Sequence, residues 1–271
     1  MDKPMATPSP AWGGLMNDPD RDGSYQINKG LRQARKLLMD INRLGMPAAT
    51  DYLDPISPQF VADLVSWAAI NSRTAESEAH RELASGLSTP VGFYNGSRAD
   101  WQVAVDAVQG SAAPHAFLSV SKQGIAGIVE TTGNSDCHVV LRDVANDELL
   151  VPEAGRVGVA LDALQLPARV LIDCGSGCVE RSPATQERLV QEVAAAVAAG
   201  NTRVLGVMLH SFLLAGKQRL ESGSALTYGM SVTEPCMDWS ATASALEGLA
   251  AAVRQRRGLS QDAPAPKRAR T

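Results

Sequence analysis

The stretch VLIDCGSGCVERSPATQERLVQEVAAAVAAGNTRVLGVML, residues 170–209, contains one complete supersecondary unit. It reads as a strand over 170–173, a helix over 185–199 and a strand over 204–209. A strand followed by a crossover helix and a second strand implies a right-handed βαβ unit and parallel pairing. The same alternation runs upstream. Strands are expected at 48–53, 66–70, 90–94 and 137–142, and helices at 59–65, 77–87 and 99–108. A further helix follows the loop after residue 142. Phe117 to Val120 and Ile125 to Glu130 read as an inserted β-hairpin.

The flanks are plainer. Ile27, Leu31, Ala34, Leu38, Ile41 and Leu44 recur at helical spacing, with Lys29, Arg32, Arg35 and Lys36 off that stripe. Gly45 and Pro47 end this helix. Residues 1–25 read as an N-terminal loop and 26–257 as the barrel-like domain, which closes on a helix over 241–257. The tail, 258–271, is polar and basic and is expected to be disordered, and its KRAR run offers a weak nuclear address.

The chain has 271 residues, 45% hydrophobic and 20% charged, which is a globular composition and excludes wholesale disorder. With 25 basic and 29 acidic side chains the net charge is −4, which argues against a general nucleic-acid binder. No apolar run is long enough to span a membrane. The N-terminus lacks the pattern of a secretory signal. Four cysteines without CxxC spacing are no disulfide framework, so a reduced, cytoplasmic setting is expected. Six barrel-type strands fall short of the eight that close a (β/α)8 barrel, and an open doubly wound sheet remains the competing architecture.

Four collinear stretches carry a resemblance. They are 14–60 (GLMNDPDRDGSYQINKG and onward), 72–96 (SRTAESEAHRELASGLSTPVGFYNG), 117–143 (FLSVSKQGIAGIVETTGNSDCHVVLRD) and 226–239 (LTYGMSVTEPCMDW). Together they resemble the type I 3-deoxy-D-arabino-heptulosonate-7-phosphate (DAHP) synthases. The resemblance implies a (β/α)8 TIM barrel and a divalent metal (Mn, Fe, Co or Zn). It also implies condensation of phosphoenolpyruvate with erythrose 4-phosphate, the first step of the shikimate pathway. It begins after the family's second barrel strand, so the expected fold is that barrel without its first two strands. Open sheet edges then call for a homo- or hetero-oligomeric partner.

The site is carried over residue by residue. Arg73 in SRTAES and Arg142 in VVLRD match two arginines that clamp phosphoenolpyruvate, and Lys3 in KPMAT matches the lysine of KPRTT. Guanidinium groups suit phosphate and carboxylate because they bind both oxygens at once. Other positions depart from the family. Tyr94 replaces the lysine of PVGFKNG, with Arg98 as a nearby substitute charge. Met5 and Ala6 replace the arginine and threonine of KPRTT, and Gly13 replaces a lysine after the tryptophan matched by Trp12. Ser176 stands at the metal histidine of DxSH, His210 at the glutamate of VMxESH and Glu234 at the aspartate of SITDxC. A remodelled metal site would rest on His210 and Glu234, with Cys174 or Asp173 in support.

Three functions follow. The first is a diverged synthase-like protein, acting as a pseudoenzyme partner or on another small anionic substrate, with a small phosphorylated anion as a candidate ligand. The second is an active synthase with a mis-recorded start and substituted ligands. The third is a non-catalytic module that senses an aromatic metabolite or binds nucleic acid through its tail.

Overall fold

A computed structural model describes residues 13–96, 100–121, 123–142, 150–175, 182–219 and 225–261. Lys3, Met5, Ala6, Arg98 and Ser176 lie outside these residues. Helix α1 (Gly14–Asn17) and helix α2 (Ile27–Arg43) open the chain. Strand β1 (Ala49–Asp51), helix α3 (Pro58–Val61) and strand β2 (Trp67–Ile70) follow. Then come α4 (Glu78–Ser85), β3 (Val91–Tyr94), α5 (Gln102–Ser111), the hairpin β4 (Ala116–Val120) and β5 (Ala126–Glu130), and β6 (His138–Leu141). The chain continues through α6 (Leu150–Ala163), β7 (Val170–Asp173), α7 (Pro183–Ala198), β8 (Val204–Met208), β9 (Leu214–Lys217), β10 (Met230–Ser231) and α8 (Trp239–Gln261).

Six strands form one parallel sheet in the order β1-β2-β3-β6-β7-β8. The order never reverses along the chain. A doubly wound sheet requires a reversal, so that architecture is excluded and the winding is that of a barrel segment. The two hydrophobic clusters agree. The larger joins strand residues such as Ile70, Phe93, Val139 and Ile172 to helix residues such as Ala84, Val105, Leu161 and Val190. The smaller lies on strands alone, with Ala69, Tyr94 and Val140 buried and Trp67, Leu171 and Met208 against them. Alternate side chains of a strand point to opposite faces. The helices of the larger cluster thus cover one face, and the other face is the inner wall on which Tyr94 sits.

Burial also follows strand position. β3 and β6 are buried throughout, whereas β1 and β8 are mostly half-exposed. That gradient belongs to an open sheet with β1 and β8 at its edges among the described residues.

Several expectations change. The N-terminal loop contains α1, against which α2 packs closely. A Cβ at Gly30 would lie 2.1 Å from the Met16 carbonyl oxygen, so only glycine fits there. On α2, Ala34 and Leu38 are buried as the stripe requires, but Ile27 and Leu44 at its ends are exposed. The expected 59–65 helix is α3 followed by a 3-10 turn over Ala62–Leu64. Strands β9 and β10, four and two residues long, had no periodicity to announce them. Helix α8 runs through Gly258 to Gln261, into the segment read as tail.

Candidate functional site

The inner wall ends in a ring of polar side chains at the C-terminal ends of the strands, the end where barrel enzymes place their chemistry. Tyr94 closes β3, Arg142 follows β6, Asp173 closes β7 and His210 follows β8. The parallel strands deliver these side chains to one rim.

Asp173 is the centre of the group and is fully buried. The Tyr94 hydroxyl donates to its Oδ2 at 3.2 Å. The Gly175 backbone N–H donates to its Oδ1 at 2.9 Å. The Met208 sulfur also lies 2.9 Å from the Tyr94 hydroxyl. Burial pushes the Tyr94 phenol well above its ordinary value, and the Asp173 and Asp51 carboxylates push it further; Arg142 opposes them. Tyr94 is therefore neutral at physiological pH, with its one proton committed to Asp173.

Arg142 stands over this pair. Its guanidinium carbon is 4.8 Å from the Tyr94 ring centroid, a cation–π contact. Its Nη2 donates to Ser72 Oγ at 2.9 Å and to Asn71 Oδ1 at 3.3 Å. Asn95 holds the Arg142 backbone from both sides, accepting from its N–H at 2.9 Å and donating to its carbonyl at 2.8 Å. A cation so positioned is preorganised for an anion. Arg73 is different: it is exposed, one residue beyond buried Ser72. The structure thus brings Arg142 into the inner group and leaves Arg73 at its solvent side.

His210 is fixed by Gln186 of α7. Gln186 accepts the His210 N–H and donates to the His210 carbonyl at 3.2 Å. The imidazole Nε2 lies 4.0 Å from Asp173 Oδ1. Nδ1 is buried and has no hydrogen-bond partner among the described residues. The ring lies close against Gly175, where an added Cβ would fall 2.4 Å from two ring carbons. Glycine at 175 and histidine at 210 are therefore a matched pair.

The metal implied by the family does not fit these residues. Among the described residues, His210, Glu234, Cys174 and Asp173 do not assemble three donor atoms within 4.8 Å. Cys174 is buried, and burial, with the Asp173 and Glu192 carboxylates behind it, pushes its thiol up to about 12. Glu234 is half-buried, and its carbonyl accepts from Cys236 Sγ at 3.4 Å. Gly13, at the lost lysine position, is half-buried, and its carbonyl accepts from Asn17 Nδ2 at 3.1 Å. Asn71, Ser72 and Asn95 escaped the sequence reading. The polar residues Asn71 and Ser72 directly after β2, and Asn95 directly after β3, were the available signal.

The sequence profile of the DAHP synthetase I family matches residues 1–247. The chain is 48% identical over 257 residues to the Phe-sensitive phospho-2-dehydro-3-deoxyheptonate aldolase of Escherichia coli (strain K12), covering 95% of this chain and 73% of that one. It is 45% identical over 245 residues to the Trp-sensitive enzyme of Enterobacter agglomerans, covering 90% and 70%. Its fold superimposes on the phospho-2-dehydro-3-deoxyheptonate aldolase of Francisella tularensis SCHU S4 with a TM-score of 0.88 at 43% identity, over 95% of this chain and 74% of that one. Profile, sequence and fold converge, and the chain belongs to the DAHP synthetase I family.

Proposed function

We propose that the chain is a diverged member of its family, which captures a small phosphorylated or carboxylated anion of the phosphoenolpyruvate class at its strand ends. In this reading it condenses that anion with erythrose 4-phosphate far more slowly than a full synthase. Its role then rests on binding, as a pseudoenzyme partner, or on another small anionic substrate.

One observation carries the reading. Tyr94 stands where the family motif has lysine, and its hydroxyl is already bound to Asp173. A fixed positive charge is replaced by a neutral phenol with no proton to spare. Arg142 remains as an anchor, held by Ser72 and Asn71. Losing one preorganised electrostatic contact to a transition state lowers turnover by about 10²-fold or more. Binding tolerates such a loss better than catalysis does.

The test is calorimetric titration of the full chain with phosphoenolpyruvate, with and without manganese, followed by an assay with erythrose 4-phosphate. The expected result is metal-independent binding, abolished by Arg142→Ala, with turnover at or near background. Family-level turnover would overturn the reading. So would the absence of binding by a folded, monodisperse chain.

A second reading, an active synthase with substituted ligands, is favoured by the names and high identities of the relatives. It requires His210 to act. Metal-dependent turnover that His210→Ala abolishes would establish it.

A further inference from the structure

Away from the strand ends, Glu78, Glu82 and His115 each bring one ligand atom to within 4.8 Å of the others. Glu78 and Glu82 are four residues apart on α4, so their side chains share a face. His115 immediately precedes β4, at the base of the hairpin. Two carboxylates at this spacing repel each other unless a cation lies between them. No ion pair or hydrogen bond links either carboxylate to another side chain among the described residues.

His115 is fixed by contacts outside the group. Its Nε2 lies 2.8 Å from the Gly110 carbonyl oxygen. A carbonyl only accepts, so Nε2 carries the proton and Nδ1 keeps a free lone pair. The His115 backbone N–H donates to Thr131 Oγ1 at 3.0 Å, and its carbonyl accepts from the Thr131 N–H at 2.8 Å. Metal-binding imidazoles almost always donate their far N–H to a carbonyl or carboxylate in this way, which fixes tautomer and ring orientation.

We propose that Glu78, Glu82 and His115 form a binding site for a divalent cation of the zinc class. His115 Nδ1 and one oxygen of each carboxylate are the ligands, and the fourth position is open to water. One imidazole with two carboxylates suits zinc or manganese and is a poor match for copper(I) or an iron–sulfur cluster. At metal–ligand lengths of about 2.0–2.2 Å, tetrahedral donors sit roughly 3.4 Å apart. Closing the group from 4.8 Å then takes roughly 1.4 Å of movement at most, within the swing of one glutamate torsion. The bound ion would tie α4 to the base of the hairpin. Glu82 also lines a cavity of about 580 Å³ between the two, beside Leu83, Leu87, Phe117 and Val129. The ion would therefore stiffen that cavity's wall.

The site does not depend on the reading of the strand-end group, and its test separates the two. Zinc chloride is titrated by calorimetry, and cobalt chloride by visible absorption, into the full chain. The same titrations are made on His115→Ala, on Glu78→Gln/Glu82→Gln and on His210→Ala, each checked for folding by circular dichroism. The expected result is one ion per chain with the bands of low-coordinate cobalt. His210→Ala should retain it, and both His115→Ala and the double glutamine variant should weaken it by about tenfold or more. Zinc should also slow hydrogen exchange over 116–130 in the wild type, and not in the double glutamine variant, which keeps the shape and removes the charge. Failure of the folded wild type to bind would overturn the proposal. So would binding that His115→Ala and the double variant leave unchanged, or binding lost only in His210→Ala.

Discussion

Tyr94 concentrates what sets this chain apart. Its phenol is the only side-chain donor described for Asp173 Oδ2, a carboxylate with no exposed surface. Tyr94→Phe should therefore destabilise the chain by about 1–3 kcal/mol, the usual penalty for stripping a buried acceptor of its partner. Urea denaturation at neutral pH measures it. Tyr94→Lys should do the opposite to ligand binding: a lysine there pairs with Asp173 and adds a positive charge beside Arg142. Tighter phosphoenolpyruvate binding by calorimetry is the expected outcome, and unchanged or weaker binding would count against the proposed anion site. Alkali offers a third check. A tyrosine whose folded value is raised ionises first in the unfolded chain. Its contribution is full below the ordinary value near 10 and is lost as pH rises beyond it. Tyr52, pushed up to about 12 by burial and then by Asp63, acts in the same direction. The urea midpoint should fall between pH 10 and 12. The sequence showed that Tyr94, Arg142 and His210 occupy altered or retained positions. It did not show that the phenol rests on Asp173, because that contact joins residues 79 apart, and no local pattern encodes it.

Helix α7 and the strands on either side of it show how much local chemistry specifies an element. Ser182 caps α7: its Oγ accepts from the Thr185 N–H at 3.1 Å, and Pro183 occupies the first turn, where its missing donor is harmless. Ser182→Ala should lower stability by about 1 kcal/mol, read as a shift in the urea midpoint with an unchanged slope. The central strands were legible because they are short apolar runs bounded by turn residues. The hairpin was legible for the same reason, with Gly124 at φ +78 in its turn. Elements at the margins were less so. β10 has two residues, too few for a period. Gly258 does not stop α8, because a glycine within a helix weakens it by only about 1 kcal/mol and ends it only where other signals agree.

The sheet as a whole sets two further expectations. Its edge strands β1 and β8 are half-exposed, and Leu205, Phe212, Leu213 and Leu214 near the second edge are each more than 40% exposed. Exposed apolar edges seek partners. Size-exclusion chromatography with light scattering should give a mass larger than one chain, and a strictly monomeric mass would contradict the expectation. Acid should loosen the fold. His138, bonded at Nε2 to the Trp67 indole at 3.0 Å, and His80 are both buried, and burial lowers their values below the ordinary 6.5. Groups with lowered folded values bind protons first in the unfolded chain. Their contribution is full above 6.5 and shrinks as pH falls below it. The winding direction decided between barrel and doubly wound sheet, and strand count alone could not. Six alternating strands satisfy both, and only their order in space separates them.

The contact between His210 and Gly175 couples two positions of the strand-end rim. A methyl group at 175 would strike the ring, and the family motif has serine at this position. A side chain at 175 therefore requires the imidazole to move. Serine at 175 with the ring in place meets a collision. The two positions are therefore coupled, and a side chain at 175 is accommodated better once the ring at 210 is gone.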